Sequence, residues 1–332
     1  MPQQYDKILV TGADGFIGSH VAERLVRDGF SVRAMVQYNS FGHHGWLDFS
    51  DSDVQNALEF FAADIRDPFR MRTAVEGIDC ILHLASLVAI PYSYQAAKSY
   101  VSTNVTGTLN LLQAARDQQV KRFVQTSTSE VYGTAQYTPI DEKHPLVGQS
   151  PYAASKIGAD QMALSFYRSF GLPVTVLRPF NAYGPRQSAR AIIPTIICQL
   201  AAGCTELKLG NLAPTRDFTF VEDLATAFAA IAVAENVIGE TINVGTGSEI
   251  SIGDLADTLI RLMDSSAKVT TVSERLRPKE SEVDRLLCDN SRAETLLGWK
   301  PAVSLEDGLR RTVDWFTTAE NLRGYKPGRY QV

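Results

Sequence analysis

The chain has 332 residues, of which 45% are hydrophobic and 21% charged, and a formal net charge of −5. These values are typical of a soluble globular protein with one large or two ordinary domains. They disfavour a nucleic-acid binder that relies on phosphate neutralisation, and no apolar stretch is long enough to span a bilayer. The polar N-terminus predicts no signal peptide, and four cysteines without paired spacing predict reduced thiols in a cytoplasmic protein without a metal centre.

A glycine-rich turn follows the first predicted strand. Residues 7–10 form a short apolar run that suits a strand buried on both faces. Gly12, Gly15 and Gly18 then lead into a helix predicted over residues 19–28. Glycines let a backbone approach a pyrophosphate, and a helix N-terminus offers free amides and a positive dipole end. A purely structural turn is the alternative, but a strand, turn and helix in this order favour dinucleotide binding.

The second predicted strand, residues 31–36, ends where an acid would hold the adenosine ribose of NAD. Residues 37–39 contain no acid, so the sequence leaves the choice between NAD and NADP open. Residues 39–53 are predicted to form a loop. His43 and His44 in this loop lack the spacing of a metal site.

The third and fourth strands are predicted over residues 58–63 and 80–86. Asp64, after the third strand, could meet an adenine edge or cap a helix before Pro68, and the sequence does not decide between these roles. The fourth strand runs into small residues, which leave room for a flat cofactor. His83 lies within an apolar run and is predicted to be a core residue with its hydrogen bonds satisfied.

A long amphipathic helix is predicted over residues 99–118, and Asn104 on it is a candidate polar contact to the site. Residues 122–126 and 174–178 are the fifth and sixth predicted strands. Strands that alternate with helices in this way predict an α/β fold with a doubly wound parallel (Rossmann) sheet. The ligand crevice of such a sheet lies at the C-terminal ends of its strands.

The regular alternation ends after Asn181. We therefore assign residues 1–180 to a dinucleotide-binding domain, which also receives returning segments from the C-terminal half. Residues 181–332 are assigned to a smaller, partly interleaved substrate lobe. Four arginines in its loops would suit a diphosphate, although each alone would be an ordinary surface residue: Arg186, Arg190, Arg216 and Arg277.

The fifth strand leads to a hydroxyl and a carboxylate, Thr128 and Glu130, and then to a helix predicted over residues 152–170. Tyr152 and Lys156 are spaced so that they share one helix face. A fixed cation favours a phenolate, so we expect the pKa of Tyr152 to fall from near 10 toward neutrality. Such a phenol can act as general base for an alcohol that loses a hydride. Taken alone, the motif could equally be a solvated tyrosine and lysine.

Nearly the whole chain resembles the extended short-chain dehydrogenase/reductase family, the nucleotide-sugar epimerases and dehydratases. The matching motifs are Gly12/Gly15/Gly18, Asp64-Ile65, Leu84-Ala85-Ser86, Thr128 to Gly133, Tyr152/Lys156, Arg178 to Pro185, Arg216-Asp217-Phe218 and Leu297 to Pro301. Within the family, the Thr-Ser-Glu triplet resembles the 4,6-dehydratases, because 4-epimerases lack the glutamate. Residues 36–41, 45–48, 132–137 and 184–190 are most similar to the N-acetylglucosamine nucleotide 4,6-dehydratases of legionaminic acid synthesis.

The resemblance implies conversion of UDP- or GDP-N-acetylglucosamine to a 4-keto-6-deoxy sugar, with NAD or NADP tightly bound and regenerated in each turnover. Tyr152 would take the proton of the sugar 4-hydroxyl, Lys156 would tune Tyr152 and hold the nicotinamide ribose, and Thr128 would bond the same oxygen. Glu130 would remove the proton on carbon 5 before water leaves carbon 6. Some 4,6-dehydratases carry an Asp before the Glu. Here that position is Ser129, so Glu130 would serve as both base and acid.

The pattern and the resemblance together give a set of expected site residues. The expected catalytic residues are Thr128, Ser129, Glu130, Tyr152 and Lys156. The expected cofactor contacts are Gly12, Gly15, Phe16, Ile17, Gly18, Gln37, Asp64, Ile65, Leu84, Ala85, Ser86, Asn104, Tyr152 and Lys156. The expected substrate contacts are Asn181, Arg190, Arg216 and Arg277.

Three other functions remain open. A UDP-glucuronate decarboxylase of the same family would need a cation for the sugar carboxylate, and no dedicated one is evident. A 4-epimerase is disfavoured by Glu130, and a non-catalytic dinucleotide-binding regulator is disfavoured by the intact Tyr152 and Lys156 pair. The resemblance also implies a homodimer in which the helices predicted over residues 99–118 and 152–170 form a four-helix bundle.

Overall fold

A parallel sheet lies at the centre of the computed structural model, which describes residues 5–322 and residue 325. Its strands form because short runs of Val, Ile, Leu and Phe can be covered on both faces. In chain order the strands are β1 (Lys7–Thr11), β2 (Ser31–Val36), β3 (Leu58–Ala62), β4 (Cys80–His83), β5 (Arg122–Thr126), β6 (Val174–Pro179), β7 (Asn181–Tyr183), β8 (Glu206–Leu209), β9 (Thr215–Arg216), β10 (Phe218–Phe220), β11 (Thr241–Val244), β12 (Ile250–Ser251) and β13 (Lys268–Thr271).

The strand order in the central sheet is β3-β2-β1-β4-β5-β6-β11, and every neighbouring pair is parallel. The order reverses between β1 and β4, whose register runs from Ile8 opposite Cys80 to Thr11 opposite His83. A sheet of this kind opens a ligand crevice at such a switch point, beside the C-terminal strand ends. The predicted doubly wound Rossmann sheet is confirmed.

Helices cover both faces of this sheet and build the smaller lobe. In chain order they are α1 (Phe16–Arg27), α2 (Ser52–Ala57), α3 (Pro68–Val75), α4 (Ile90–Gln95), α5 (Ala97–Tyr100), α6 (Thr108–Asp117), α7 (Pro151–Phe170), α8 (Ile192–Ala201), α9 (Val221–Val233), α10 (Ile252–Leu262), α11 (Ser291–Leu297), α12 (Leu305–Thr317) and α13 (Ala319–Leu322).

Two apolar cores lie on opposite faces of the sheet. On one face α1 packs against α9, where Leu25 and Phe228 are fully buried. On the other face α3, α6 and α7 pack on the sheet around Leu112, Ala163 and Phe123. Burial of each large side chain contributes about 1.5–3 kcal/mol, so these two layers hold the strand ends in fixed positions.

The C-terminal half contributes to both parts of the molecule. α9 packs on the central sheet, and β11 is its edge strand beside β6. α8, α10 and α12 share a separate apolar core that includes Ile196, Leu255 and Phe316. Three small sheets accompany it, with β7 parallel to β10, β8 parallel to β13, and β9 antiparallel to β12.

Some predicted bounds were wrong. α1 begins at Phe16, three residues earlier than predicted, because Gly15 already serves as its N-cap. The predicted loop over residues 39–53 contains a 3₁₀ turn, Gly45–Phe49, and the first turn of α2. β4 ends at His83, so residues 84–86 lie in the loop that follows it. β11 was not predicted as a strand because it is short and follows irregular sequence.

Among residues 5–322 and 325, no helix combines the length and hydropathy needed to cross a membrane. The same residues contain no cluster of His, Cys, Asp or Glu that could hold a metal ion. The cysteines are free thiols, and the buried ones are Cys80, Cys198 and Cys288.

Candidate active site

The glycine turn after β1 is built by close backbone approach. Gly12 has φ +68°, and a Cβ there would lie 2.9 Å from the backbone N of Ala85. A Cβ on Gly18 would lie 2.0 Å from the Gly12 carbonyl oxygen. Gly15 is the N-cap of α1 and makes no side-chain capping bond, so backbone amides at this helix end point toward the crevice edge. Phe16 and Ile17 form the first turn. This cradle fits a pyrophosphate group.

Thr11 ties this turn to the loop after β4. Its Oγ1 accepts hydrogen bonds from the backbone N–H groups of Leu84 and Ala85, each at 3.1 Å. The same hydroxyl lies 2.8 Å from Nδ1 of His83, whose Nε2 lies 3.0 Å from Oγ1 of Thr108. Burial lowers the pKa of His83 to about 3, so the ring is neutral. His83 is therefore a satisfied core residue, as predicted, and Thr11 is a positioning residue that sequence reasoning missed.

A carboxylate does stand at the end of β2, although it comes from the glycine turn. Oδ2 of Asp14 accepts a hydrogen bond from the backbone N of Gln37 at 3.3 Å. Burial raises the pKa of Asp14 above its ordinary value. Gln37 itself is exposed. Residues 37–39 contain no acid, but Asp14 brings a carboxylate to the same strand end. The sequence of the second strand could not show this, because Asp14 comes from another segment.

Asp64 is held by its own neighbour. Nη2 of Arg66 lies 2.5 Å from Oδ2 of Asp64, and hydrogen bonds from Arg66 lower the pKa of this carboxyl. The proposed capping role was wrong for Asp64, because Asp67 caps α3 by accepting from the backbone N of Phe69 at 2.9 Å. Ile65 is buried, and its carbonyl accepts from Nδ2 of Asn110 at 3.1 Å.

Asn104 positions two elements of the site. It lies in a π-helical segment, Val101–Gly107, that joins α5 to α6 in place of the uniform helix predicted. Its Oδ1 accepts from the backbone N of Leu87 at 2.8 Å, and its Nδ2 donates to the Leu87 carbonyl and to Oγ of Ser155, both at 2.9 Å. These bonds lock the loop that contains Leu84, Ala85 and Ser86 against α7.

The predicted catalytic side chains converge at the C-terminal end of β5. Thr128 caps the 3₁₀ turn Ser129–Tyr132, and its hydroxyl accepts from the backbone N of Glu130 at 3.3 Å. Ser129 and Glu130 are buried in this turn, and Tyr152 is 7% exposed. Glu130 and Thr128 both lie close enough to the Tyr152 phenol to influence its pKa.

The predicted lowering of the Tyr152 pKa was wrong for the ligand-free protein. Burial raises the pKa of Tyr152 well above 10, and the Glu130 charge raises it further, while Thr128 lowers it. Lys156 donates from Nζ to the Thr126 carbonyl oxygen at 2.6 Å. Burial also lowers the pKa of Lys156, to about 8, against the opposing effect of Asp160. The spacing correctly predicted that Tyr152 and Lys156 lie one turn apart on one helix. Spacing does not indicate how deeply the two groups are buried.

The predicted substrate residues differ in burial and in their partners. Arg216 is buried, and its Nη2 lies 3.4 Å from Oε1 of Glu282. Nη1 of Arg277 lies 3.5 Å from the same oxygen. Oδ1 of Asn181 is buried without a hydrogen-bond partner among the described residues, and Arg190 is exposed. A buried amide oxygen and two clustered cations can accept a polar, negatively charged ligand.

Arg186 does not join this group. Its Nη2 lies 2.8 Å from Oε1 of Glu23, and its Nη1 donates to Oγ of Ser19 at 3.1 Å. Nε2 of His20 contacts the Pro185 carbonyl at 3.2 Å. These contacts fasten the loop after β7 to α1, so Arg186 fixes the loop that carries Arg190.

A dinucleotide cradle, a tyrosine–lysine helix and an acid at a strand end define a Rossmann-fold protein of the nucleotide-sugar dehydratase and epimerase class. The family model described as GDP-mannose 4,6 dehydratase matches residues 9–312. The chain belongs to this family.

Several solved structures superpose over almost the whole chain. The structure of Pal from Bacillus thuringiensis is 34% identical, with a TM-score of 0.85, and the match covers 94% of this chain and 99% of that one. A double mutant of DesIV, a dTDP-glucose 4,6-dehydratase from Streptomyces venezuelae with NAD bound, is 32% identical, with a TM-score of 0.85 and coverage of 95% and 98%. UDP-glucuronic acid 4-epimerase from Bacillus cereus, with NAD and UDP-glucuronic acid, is 29% identical, with a TM-score of 0.85 and coverage of 96% and 100%.

Proposed function

We propose that the protein is a nucleotide-sugar 4,6-dehydratase that uses NAD. The observation that carries this proposal is the buried Glu130 beside the Tyr152 phenol, with the Thr128 hydroxyl at the same place. Elimination of water requires a group that removes the proton on carbon 5, in addition to the tyrosine that assists oxidation of the alcohol. A proton acceptor beside Tyr152 can do this. Similarity to both a dehydratase and an epimerase is compatible with the first half-reaction, which the two activities share.

The chain's own groups account for the proton transfers. Tyr152 accepts the proton of the 4-hydroxyl, which Thr128 orients. The 4-ketone acidifies the proton on carbon 5, and Glu130 takes it. Glu130 then returns a proton to the departing 6-hydroxyl, which leaves as water, because Ser129 offers no carboxyl for this step. As carbon 6 is reduced, carbon 5 takes a proton from solvent, and Tyr152 releases to solvent the proton that it accepted. When bound, NAD supplies the hydrogen acceptor for carbon 4, the donor for carbon 6, and a positive ring beside the phenol that favours its ionised form.

NAD fits the cradle better than NADP does. Gly12 and Gly18 leave space that a Cβ would fill, and the N-terminal end of α1 has no side-chain cap. Asp14 lies at the end of β2, where a carboxylate can bond a ribose diol and would repel a 2′-phosphate. Solved relatives of the class contain NAD. This proposal also includes the remaining predicted cofactor contacts, which are Phe16, Ile17, Gln37, Asp64, Ile65, Leu84, Ala85, Ser86 and Asn104.

The substrate is proposed to be UDP- or GDP-N-acetylglucosamine. Arg216 and Arg277 form the diphosphate site, with Arg190 at its margin and Asn181 toward the sugar. The choice of sugar rests on the sequence similarity at residues 36–41, 45–48, 132–137 and 184–190. We retain the division into a dinucleotide domain over residues 1–180 and a substrate lobe over residues 181–332 as part of this proposal.

The reaction is tested in deuterated water with a panel of nucleotide sugars. A 4-keto product with deuterium at carbon 5 and loss of the 6-hydroxyl is expected. Inversion at carbon 4 without loss of water would instead make the protein a 4-epimerase, the second candidate, which the similarity to the Bacillus cereus enzyme favours. Release of carbon dioxide from UDP-glucuronate would identify a decarboxylase, and no reaction with any sugar would favour a regulator.

A homodimer through α6 and α7 is part of the same proposal. α6, the π-helical segment Val101–Gly107 before it and α7 pack together, and they expose apolar side chains that include Val101 and Phe170, 53% and 55% exposed. Pairing of such faces between two copies would bury them. Light scattering should give twice the chain mass, and a monomer at assay concentration would contradict the dimer.

A further inference from the structure

A buried carboxylate stands directly behind the catalytic lysine. Asp160 lies one helical turn after Lys156 on α7 and is fully buried. Its Oδ2 accepts from Oγ of Ser127 at 2.5 Å and from Nη2 and Nε of Arg178 at 3.2 and 3.3 Å. Tyr152, Lys156 and Asp160 therefore line one face of α7 in that order.

The proposed proton transfers give Asp160 no task, yet its burial carries a cost. A carboxylate removed from water is tolerated only when it is paired and hydrogen-bonded. Burial raises the pKa of Asp160, while Arg178, Ser127 and Lys156 act in the opposite direction. Because Ser127 and Arg178 are donors to this oxygen, they hold the negatively charged form.

Asp160 forms an ion pair with Arg178 at 3.2 Å, and Lys156 lies one helical turn away from Asp160 on α7. Arg178 is buried and always charged, and its Nη1 donates to the Tyr132 hydroxyl oxygen at 3.0 Å. Without Asp160, the Lys156 ammonium would be left buried near a guanidinium, with only the Thr126 carbonyl as partner. Both the burial of Lys156 and the charge of the nearby guanidinium would then favour loss of the Lys156 proton.

We propose that Asp160 is a positioning residue that keeps Lys156, one helical turn from Tyr152, protonated through the working pH range. The benefit of Asp160 to catalysis rests on the proposed function, in which the Lys156 cation favours the ionised form of the Tyr152 phenol. The pairing itself does not depend on which sugar is the substrate. Asp160 touches neither the sugar nor the cofactor in this account and acts only through Lys156.

Several other groups face this pair and would contribute to its titration. Lys156 lowers the pKa of His83 on β4, which is neutral, and so lies near it. Tyr152 on α7 and Tyr132 on the 3₁₀ turn have raised pKa values and stay protonated near neutrality. The other groups whose charge acts on this region are Arg178 on β6, which pairs with Asp160, and Glu130, which acts on Tyr152.

The test measures the Lys156 titration directly. In protein labelled with ¹³C-lysine, the Lys156 side-chain resonance is assigned by its loss in Lys156→Met and followed against pH. Asp160→Asn should lower its midpoint by about one pH unit or more. Asp160→Glu, which keeps the carboxylate charge, should leave it near the wild-type value. Ser127→Ala, which removes a hydrogen bond but no charge, should leave it near the wild-type value.

Steady-state kinetics form the second readout. The alkaline limb of kcat/KM should move to lower pH in Asp160→Asn and stay near the wild-type position in Asp160→Glu, a difference that general loss of structure would not give. A folded Asp160→Asn with an unchanged lysine midpoint would overturn the proposal. If that variant does not fold, the wild-type titration decides alone, and a Lys156 that loses its proton below the pH of maximal kcat/KM overturns it. Midpoints that move as expected in a protein without activity on any nucleotide sugar would support the pair and refute the proposed reaction.

Discussion

Arg216 and Glu282 form an ion pair inside the proposed diphosphate site, with 3.4 Å between Nη2 and Oε1. Arg277 reaches the same carboxylate oxygen from a different segment, at 3.5 Å. One carboxylate thus holds two arginines together in the ligand-free protein. A diphosphate carries more charge and more acceptor oxygens than a carboxylate, so it can replace Glu282 as their partner.

Glu282→Gln should therefore tighten the binding of a nucleoside diphosphate. The variant keeps the shape of the side chain but removes the competing charge, and we expect about fivefold higher affinity, or about 1 kcal/mol. Calorimetric titration with UDP and GDP measures the effect. Glu280→Gln, an exposed carboxylate two residues away, is the matched control and should bind like wild type. Weaker binding in Glu282→Gln would show that Glu282 orients the arginines for the ligand instead.

Glu130→Gln should separate oxidation from elimination. The amide fills the same space but cannot accept the carbon 5 proton, so we expect turnover to fall by about 10²- to 10⁴-fold. Deuterium incorporation at carbon 5 should be lost to the same degree. Cofactor binding, measured by fluorescence titration, is the internal control and should be unchanged. Turnover at the wild-type rate would remove Glu130 from the mechanism.

The sequence predicted most of the sheet because apolar runs and helical spacing are local properties. It also predicted Thr128 and Glu130 directly after the fifth strand and Tyr152 on the helix that follows, and the structure has them there, while their catalytic roles stay predictions. The Tyr152 pKa was mispredicted because its value depends on burial, which a spacing motif does not encode. Burial outweighs a cation when that cation is itself desolvated and bonded elsewhere, as Lys156 is.

Two roles could not be read from the chain because they depend on tertiary proximity. Thr11 looks like the last residue of a strand, yet its hydroxyl accepts from the loop after β4. Asp14 looks like a turn residue, yet it contacts the end of β2 through Gln37. Both roles depend on the order in which β2, β1 and β4 lie side by side. The glycine turn indicates where the cofactor site lies, but the order of these strands is a property of the whole fold.

Asp14→Ser should shift cofactor preference toward NADP. Removal of the carboxylate at the end of β2 would end its repulsion of a 2′-phosphate and its bond to the ribose diol. We expect the ratio of NAD to NADP affinity to fall at least about tenfold, as measured by parallel titrations. Asp64→Asn is the control, because Asp64 is already paired with Arg66 and should affect both cofactors alike. An unchanged ratio would mean that Asp14 serves only the turn.

Thr11→Val should destabilise the protein and loosen the cofactor loop. Valine matches the shape of threonine but leaves the N–H groups of Leu84 and Ala85 without their acceptor. Each unsatisfied group costs about 1–3 kcal/mol, so we expect a loss of about 2–4 kcal/mol in the free energy of unfolding by urea. Thr295→Val, on the exposed face of α11, should change it by less than about 0.5 kcal/mol. Equal effects of the two substitutions would contradict a special role for Thr11.

Lys156 should make the stability of the cofactor-free protein depend on alkaline pH. Burial lowers the pKa of Lys156 from 10.5 to about 8 in the folded protein, while the unfolded chain keeps the ordinary value. Between these two values the unfolded state binds more protons than the folded state, so the free energy of unfolding rises with pH. Below pH 8 both states are protonated and the cost of the buried cation is fully present. Above pH 10.5 both are neutral and that cost is absent.

The difference between wild type and Lys156→Met isolates this effect, because other titrating groups are common to both proteins. Urea unfolding from pH 7 to 10.5 should show wild type gaining stability relative to the variant, by on the order of 3 kcal/mol for the full shift. The gain should begin near pH 8, where the folded-state lysine starts to lose its proton. A constant difference across this range would mean that Lys156 has an ordinary pKa despite its burial. A difference that shrinks as pH rises would mean that its partners stabilise the cation more than burial opposes it.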